Sequence, residues 1–256
     1  PETRMLASLA GQATRVVVPT EVARVRLETE AERPLQVEVI PHGSAFLPMA
    51  PRPEPRRQIL TWGFVGPGMG AERVIRALAQ LHDMHPPPEF RLIGVTDPVW
   101  NRGEAEAYRS ELMEEAERLG VADQVEIVPV LHSSDELASQ IEECDLLVVA
   151  YDDTSRSASR ILSEAISTGR PVIATAFPGA VEMLASGAGS TVAHDSDDEL
   201  QQALRRYLTD DDSYQSAART ASSMSSDLGW DETAGKLADL ILGLVDATAL
   251  VDENKH

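Results

Sequence analysis

The sequence predicts an α/β protein with a doubly wound, Rossmann-like parallel sheet. From residue 59 onward, short apolar segments of strand length alternate with longer segments whose apolar residues recur at the helical period. A glycine-rich stretch, Gly66-Pro-Gly68-Met-Gly70, separates the first apolar segment from the first amphipathic one. Alternation of this kind gives parallel strands joined by right-handed helical crossovers. Ligands of such sheets bind beyond the carboxyl ends of the strands, and we expect the site there.

The composition is that of a soluble protein with a sizeable core. The chain has 256 residues, 43% of them hydrophobic, and a formal net charge of −20. This charge argues against nucleic acid and anionic membranes as general partners. No apolar run reaches the length of a membrane span, and no segment has the pattern of a signal peptide. Because Cys144 is the single cysteine, a disulfide framework is excluded. We expect a cytoplasmic protein.

A short α/β unit precedes the regular alternation. The apolar pattern predicts helices at residues 5–13 and 21–28 and strands at residues 15–19 and 36–40. We assign residues 1–45 to this unit. Residues 46–57 contain four prolines and three arginines, a composition typical of a linker, which we extend over residues 46–58.

The second part of the chain carries the alternating pattern. Strands are predicted at residues 59–65, 90–95, 125–129, 146–150 and 171–175. Helices are predicted at residues 71–82, 103–119 and 134–142, between residues 157–159 and Gly169, after a capping box at Ser196-Asp-Asp-Glu199, and at residues 231–251. We assign residues 59–228 to one Rossmann-like domain and residues 229–256 to a final helix and tail.

The helix that follows the strand at residues 146–150 is the centre of the predicted site. Its free N–H groups and its dipole would face the carboxyl edge of the sheet, which is an arrangement that binds anions. Its apolar face comprises Ala158, Ile161, Leu162, Ala165 and Ile166, and Glu164 could face the same crevice. A nucleoside diphosphate fits this arrangement, with the carboxylate left for a sugar hydroxyl. Alternatively, Glu164 only complements the helix dipole.

The Gly66–Gly70 stretch allows two further interpretations beside a phosphate loop. It can be a tight strand-to-helix turn with no ligand. As Gly66-x-Gly68-x-x-Ala71, with Asp97 as the ribose acid, it also matches the dinucleotide fingerprint, which would make the protein an NAD-dependent oxidoreductase. The six histidines are scattered without metal-ligand spacing, so no metal is expected.

Several blocks together resemble the retaining glycosyltransferases of family 4, which have the GT-B fold. They are Val16-Val-Val-Pro-Thr20, Val39-Ile-Pro-His-Gly43, the stretch from Ile59 to Gly70, Gly94-Val-Thr-Asp-Pro98, Gly103-Glu-Ala-Glu-Ala-Tyr-Arg109, Ser159-Arg-Ile-Leu-Ser-Glu-Ala165, the stretch from Gly169 to Pro178, and Trp230. The resemblance spans nearly the whole chain. It implies the C-terminal, donor-binding half of such an enzyme, with a remnant of the acceptor domain in residues 1–45 and a final helix that crosses back to it.

The resemblance implies a nucleoside diphosphate sugar as donor substrate, an unknown acceptor, no cofactor and no metal. The donor's ribose would lie at Glu164 and its diphosphate on the N–H groups near Ile161 and Leu162. No catalytic residue is assigned. The implied donor-site residues are Gly66, Gly68, Met69, Gly70, Thr96, Asp97, Arg156, Arg160, Ile161, Leu162 and Glu164. Most of the acceptor domain is expected to be missing from this chain, and a partner protein could supply or replace it.

The sequence departs from the family at positions that carry charge. The only lysines are Lys236 and Lys255, far in sequence from the predicted crevice, whereas the family commonly places a lysine and an arginine beside the donor phosphates. Arg156 stands where the family has the first of two carboxylates. Such losses could silence the enzyme, which gives the alternative of a catalytically inactive binding or regulatory protein. A further hypothesis is that Arg156 and Arg160 form a relocated phosphate clamp.

Overall fold

The computed structural model describes residues 2–96, 102–130 and 133–253. Within these residues the strands are β1 (Val16–Val18), β2 (Val37–Val39), β3 (Gln58–Trp62), β4 (Glu89–Ile93), β5 (Val125–Val128), β6 (Leu146–Val149), β7 (Val172–Thr175) and β8 (Gly189–Val192). The helices are α1 (Glu2–Ala10), α2 (Glu21–Glu30), α3 (Ala71–Ala79), α4 (Arg102–Arg118), α5 (Ser134–Glu143), α6 (Arg160–Ser167), α7 (Pro178–Leu184), α8 (Asp197–Thr209), α9 (Asp211–Met224) and α10 (Trp230–Glu253). The predicted α/β fold is confirmed.

Six of these strands form one parallel sheet in the order β5-β4-β3-β6-β7-β8. The chain moves outward from β3 in one direction and then restarts at β6 in the other, so β3 and β6 are adjacent at a topological switch point. Successive residues of a strand point to opposite faces of the sheet, where two hydrophobic cores lie. Leu146 and Val148 pack in one core, and Leu147 and Val149 pack in the other. Helices α3, α4 and α8 cover one face of the sheet, and α5, α6, α7 and α9 cover the other.

Three elements of the second domain were not predicted from the sequence. Strand β8 has the segment Gly-Ser-Thr-Val and lies at the sheet edge, so it lacks the apolar run of an interior strand. Helix α7 begins with Pro178 in its first turn, a position that tolerates proline because its N–H would be unpaired anyway. Helix α9 is capped by Asp210, whose side chain accepts a hydrogen bond from the Ser213 N–H.

The first unit is a two-stranded parallel sheet, β1 and β2, with helices α1 and α2. Helix α2 contacts the second domain at its N-terminal end. The carboxylate of Glu182 accepts hydrogen bonds from the N–H groups of Glu21 and Val22, both at 2.8 Å. The hydroxyl of Thr20 donates to the Ser157 carbonyl at 2.8 Å. The first unit therefore touches the loop that leads into α6.

Residues 46–57, predicted as part of a linker, run along the second domain and are anchored to it by particular side chains, while seven of the twelve residues are exposed. Phe46 and Arg56 are 6% and 3% exposed. The guanidinium of Arg56 lies 3.8 Å from the ring centroid of Tyr214 and pairs with Asp211. The prolines therefore stiffen a segment that contacts α9, and the buried Arg56 anchors it there.

Asp145, which precedes β6, joins this segment to the sheet. Asp145 is 1% exposed, and its carboxylate accepts hydrogen bonds from the N–H groups of Arg57 and Gln58, both at 2.8 Å. The Arg52 guanidinium donates to its other oxygen at 2.9 Å. Three donors thus meet one buried carboxylate at the start of β3.

Helix α10 begins against the end of the first unit. The Trp230 ring lies against Gly43, where an added Cβ would come within 2.4 Å of the indole, and the Trp230 N–H donates to the Ser44 carbonyl at 3.2 Å. None of the helices in the described part of the chain combines the length and apolar composition needed to cross a membrane.

We expect Asp145→Ala to lower the free energy of unfolding by about 3 kcal/mol, because it leaves two backbone N–H groups and a guanidinium without their acceptor. Urea denaturation followed by circular dichroism measures the change. Asp123→Ala, at an exposed position, is the control and should shift stability by less than about 0.5 kcal/mol. Equal stability of the two variants would contradict the anchoring role of Asp145.

Candidate functional site

A crevice opens at the switch point, where the segments after β3 and β6 diverge. A cavity of about 270 Å³ is lined by Gly66–Met69 on one side and by Tyr151, Arg156 and Ser159–Ile161 on the other. The glycine-rich stretch and the start of α6 therefore face each other, as the sequence predicted. Sequence positions almost a hundred residues apart meet here because parallel strands β3 and β6 end at the same edge of the sheet.

The glycine-rich stretch is held tightly against the strand beside it. Gly70 has φ of +76°, and a Cβ atom there would lie 1.8 Å from the carbonyl oxygen of Ala150. The Asp152 N–H donates to the Gly68 carbonyl at 3.0 Å. Only glycine permits this approach, because the position combines a left-handed backbone with a backbone atom in the place of a side chain. Met69 is 6% exposed and packs into the core below the loop.

Helix α6 begins one residue later than the sequence prediction. Ser159 is its N-cap and accepts a hydrogen bond from the Leu162 N–H at 3.1 Å. Of the N–H groups near Ile161 and Leu162 where the diphosphate is predicted to lie, that of Leu162 thus already has Ser159 as its acceptor. The N–H groups of Arg160 and Ile161 lie in the first turn and have no intrahelical acceptor. The Leu162 side chain is fully buried in the core.

Glu164 lies on the crevice side of α6, yet its carboxylate is already engaged. One oxygen pairs with the Arg160 guanidinium one turn earlier. The other accepts a hydrogen bond of 3.4 Å from the Trp62 indole N–H. The carboxylate predicted to bind a sugar hydroxyl is therefore already paired with two side chains of this chain. Glu164 is 8% exposed, and pairing offsets the cost of burying its charge.

Arg156 reaches the same cavity from the loop before α6. Its guanidinium carbon lies 4.2 Å from the ring centroid of Tyr151, a cation–π arrangement. Partial burial raises the pKa of the Tyr151 hydroxyl, so the ring stays neutral beside the cation at physiological pH. The Arg156 carbonyl accepts a hydrogen bond from the Gly179 N–H at 3.2 Å. Arg156 is therefore fixed at both its backbone and its side chain.

A second, more apolar cavity of about 170 Å³ lies beside the first. It is lined by Phe46, Trp62, Gly63, Ile93, Leu137 and others, and Glu164 opens onto it. Phe64 and Arg160 line both cavities and stand between them. At Gly63 an added Cβ would lie 2.5 Å from the Ile161 side chain, so glycine allows α6 to approach the end of β3.

The remaining predicted residues divide into those near the site and those apart from it. Thr96 follows β4, and its hydroxyl accepts a hydrogen bond from Arg109 at 3.1 Å. Thr96 lines neither cavity. Asp97 lies outside the described residues. Among the described residues, no group of three His, Cys, Asp or Glu side chains is placed to hold a metal.

The sequence analysis did not select four residues that shape the site. Tyr151 stands just beyond a predicted strand, at the edge of the sheet where ligands bind, which is a usable signal. Phe64 falls within the predicted strand at residues 59–65, and only the structure shows that 53% of its surface is exposed. Ser159 is an N-cap residue type before an apolar helical pattern and could have been assigned. Trp62 carries no such signal, because a tryptophan in a strand is usually a core residue.

Comparisons with known proteins agree with this architecture. The family described as "Glycosyl transferases group 1" matches residues 48–224. A D-inositol 3-phosphate glycosyltransferase of Corynebacterium urealyticum is 29% identical over 186 residues, 71% of this chain and 42% of the relative. Its counterpart in Streptomyces griseus subsp. griseus is 27% identical over 179 residues, 70% of this chain and 37% of the relative. The chain thus spans about two fifths of the length of the curated relatives it matches.

Solved structures show the same fold. Sucrose-phosphate synthase from Thermosynechococcus elongatus superposes with a TM-score of 0.80 at 22% identity, covering 96% of this chain and 63% of that protein. Anabaena HepE, solved in complex with UDP, gives a TM-score of 0.78 at 20% identity, covering 94% of this chain and 67% of that protein. HepE has also been solved with UDP-glucose. The fold is therefore that of the GT-B glycosyltransferases.

Removing the N-cap of α6 should lower the stability of the protein, as the loss of an N-cap generally does. We expect Ser159→Ala to lower the free energy of unfolding by about 1 kcal/mol, because the Leu162 N–H loses its acceptor. Ser196→Ala is a matched control, since Ser196 caps α8 with a bond of the same 3.1 Å length to the Glu199 N–H and should cost a similar amount. Urea denaturation tests both, and an unchanged Ser159→Ala midpoint would contradict the cap.

Proposed function

Because the chain belongs to the group 1 glycosyl transferases, we propose that it binds a nucleoside diphosphate sugar and serves sugar transfer with retention of anomeric configuration. The observation that carries this proposal is the cavity lined jointly by Gly66–Met69 and the first turn of α6. Backbone N–H groups, a helix N-terminus and two arginines converge on it, which suits a diphosphate. Family membership also favours this function over the NAD-dependent oxidoreductase.

The proposed donor spans both cavities. Its diphosphate lies against the N–H groups of Arg160 and Ile161, in the cavity of about 270 Å³. Its ribose lies near Glu164, and its base enters the apolar cavity of about 170 Å³ beside Phe46 and Trp62. This order follows the chemistry of the lining, because the first cavity offers positive charge and the second offers apolar surface and one carboxylate.

The proposed chemistry depends on charge rather than on a metal ion. Breaking the bond between the sugar and the diphosphate leaves negative charge on the leaving group, and fixed positive groups stabilise that charge. Arg156, held over Tyr151, and Arg160 supply the side-chain cations, in place of the lysine and arginine that the resembled family commonly uses. Arginine binds a diphosphate through paired donors, so the replacement is chemically competent.

We propose that residues 1–45 are the end of an acceptor-binding domain and that residues 59–228 are the donor-binding domain. The contacts of Thr20 and Glu182 between the two units support a working interface at the loop that carries Arg156. The acceptor would bind across this interface. Where the rest of the acceptor domain is absent from a chain, a partner protein would have to complete it.

A second candidate is a protein that binds the donor without turning it over. It is favoured by two observations. Arg156 stands where the family has a carboxylate, and the carboxylate of Glu164 is paired with Arg160. Loss of one preorganised charge partner typically costs ~3 kcal/mol of transition-state stabilisation. Such a protein would bind nucleoside diphosphates but hydrolyse no donor.

Gly68→Leu should abolish nucleoside diphosphate binding. Gly68 lines the cavity, and a leucine side chain would project into open space that the ligand needs. Isothermal titration calorimetry with UDP, GDP and ADP measures the loss. Gly120→Leu is a matched control, because Gly120 also has positive φ and open space around it but lies remote from the cavity. Both should lose about 1–3 kcal/mol of stability from backbone strain.

Wild-type protein should gain about 2.7 kcal/mol of stability at a ligand concentration of 100 times the Kd, visible as a higher Tm. Absence of any shift with all three diphosphates, together with flat calorimetry, would reject donor binding. Binding that the Gly68 variant retains would place the ligand elsewhere.

Retention predicts the stereochemistry of slow donor hydrolysis. With an α-linked donor such as UDP-glucose, the first sugar released should be the α-anomer, because the configuration at the anomeric carbon is kept. Proton NMR during the first minutes, before mutarotation, distinguishes the anomers. Release of the β-anomer would contradict retention, and diphosphate binding without any hydrolysis or transfer would favour the inactive binding protein.

A further inference from the structure

We propose that Arg160 is a gate residue that exchanges ion-pair partners. When a nucleoside diphosphate binds, the Arg160 guanidinium releases the Glu164 carboxylate and pairs with the diphosphate instead. This inference rests on the proposed function and concerns how the same crevice selects its ligand. In the structure, the Arg160 guanidinium pairs with the Glu164 carboxylate. With a diphosphate in place, Arg160 turns to the phosphate oxygens, and Glu164 becomes an acceptor for ribose hydroxyls.

The position of Arg160 is the first argument. It lines the cavity of about 270 Å³ and also the cavity of about 170 Å³, whereas Glu164 lines only the second. A ligand that extends from one cavity into the other must pass Arg160. Phe64 shares this position but carries no charge, so the charged part of the partition is Arg160.

The unequal burial of the ion pair is the second argument. The Arg160 side chain is 51% exposed, while that of Glu164 is 11% exposed. The long, half-exposed Arg160 side chain on the first turn of α6 can rotate without repacking the core, and ribose hydroxyls that donate to Glu164 would replace its lost charge partner. The carboxylate stays in place, because it is buried and its second oxygen accepts a hydrogen bond of 3.4 Å from the Trp62 indole N–H. Arg160 is therefore the member of the pair that moves.

Arg156 provides the contrast within the same cavity. It lines only the cavity of about 270 Å³, and its guanidinium rests on the Tyr151 ring. Its side chain rests on a neutral aromatic ring and lies 4.0 Å from the exposed carboxylate of Asp153, which leaves guanidinium N–H groups for an anion. Arg156 therefore binds an anion without leaving a buried carboxylate, whereas Arg160 has to leave one.

The exchange makes the two ends of the ligand depend on each other. A nucleoside without phosphates offers Arg160 no new anion, so its ribose would have to compete with Arg160 for Glu164. A nucleoside diphosphate supplies that anion and removes the competitor. The crevice would therefore reject nucleosides and accept diphosphates by more than the phosphate contacts alone provide.

The test measures affinities of wild-type chain, Arg160→Ala and Glu164→Gln by calorimetry or NMR titration. The probes are whichever of UDP, GDP and ADP binds wild type, the matching nucleoside, and inorganic pyrophosphate. We expect Arg160→Ala to weaken the diphosphate and pyrophosphate ~10-fold or more, and to strengthen the nucleoside several-fold, because Glu164 is then free. Glu164→Gln should tighten pyrophosphate, because Arg160 loses its competing carboxylate.

Arg118→Ala is the matched control, since Arg118 forms an exposed helical ion pair with Glu115 remote from the crevice, and all three affinities should stay unchanged. Changes of the same sign for nucleoside and diphosphate in Arg160→Ala would overturn the gate. Tighter diphosphate binding by that variant would also overturn it and show that Arg160 merely blocks the site. If no diphosphate binds wild type or either variant, the proposed function itself fails, and the gate with it.

Discussion

The site depends on one close approach between two backbones. Gly70 lies against the carbonyl oxygen of Ala150, in a position that a Cβ atom would occupy at 1.8 Å, and the Asp152 N–H donates to the Gly68 carbonyl. This contact locks the segment after β3 to the segment after β6 at the point where the sheet reverses its winding. The two segments that this contact joins line the cavity, and one of them carries the helix N-terminus and both arginines.

The crevice carries two side-chain cations although the chain as a whole has a net charge of −20. Arg156 and Arg160 bring positive charge to an acidic protein, and each is held by a partner inside the site, one by Tyr151 and the other by Glu164. These contacts hold the two cations, since a half-buried guanidinium needs a partner to offset its lost hydration. The same contacts decide which cation is available to an incoming anion.

Much of the fold could be predicted, because it rests on local patterns. The apolar runs of β3, β4, β6 and β7 stand out, since interior parallel strands are buried on both faces, and the edge strand β5 keeps three apolar residues of four. The edge strand β8 and helix α7 could not be recognised, as one is polar and the other starts with proline. Residues 46–57 have linker composition but are anchored to the second domain, because Asp145, distant in sequence, accepts hydrogen bonds from Arg52 and Arg57.

The sequence alone determined the α/β class, the strand-to-helix glycines and the region around α6 as the candidate site, since these follow from periodicity and from residue types with special backbone freedom. Only the tertiary structure decided which groups in that region are free. Ser159 takes the Leu162 N–H, and Arg160 with Trp62 takes the Glu164 carboxylate. Hydrogen-bond partners depend on side-chain direction and on residues a hundred positions away, which no local pattern encodes.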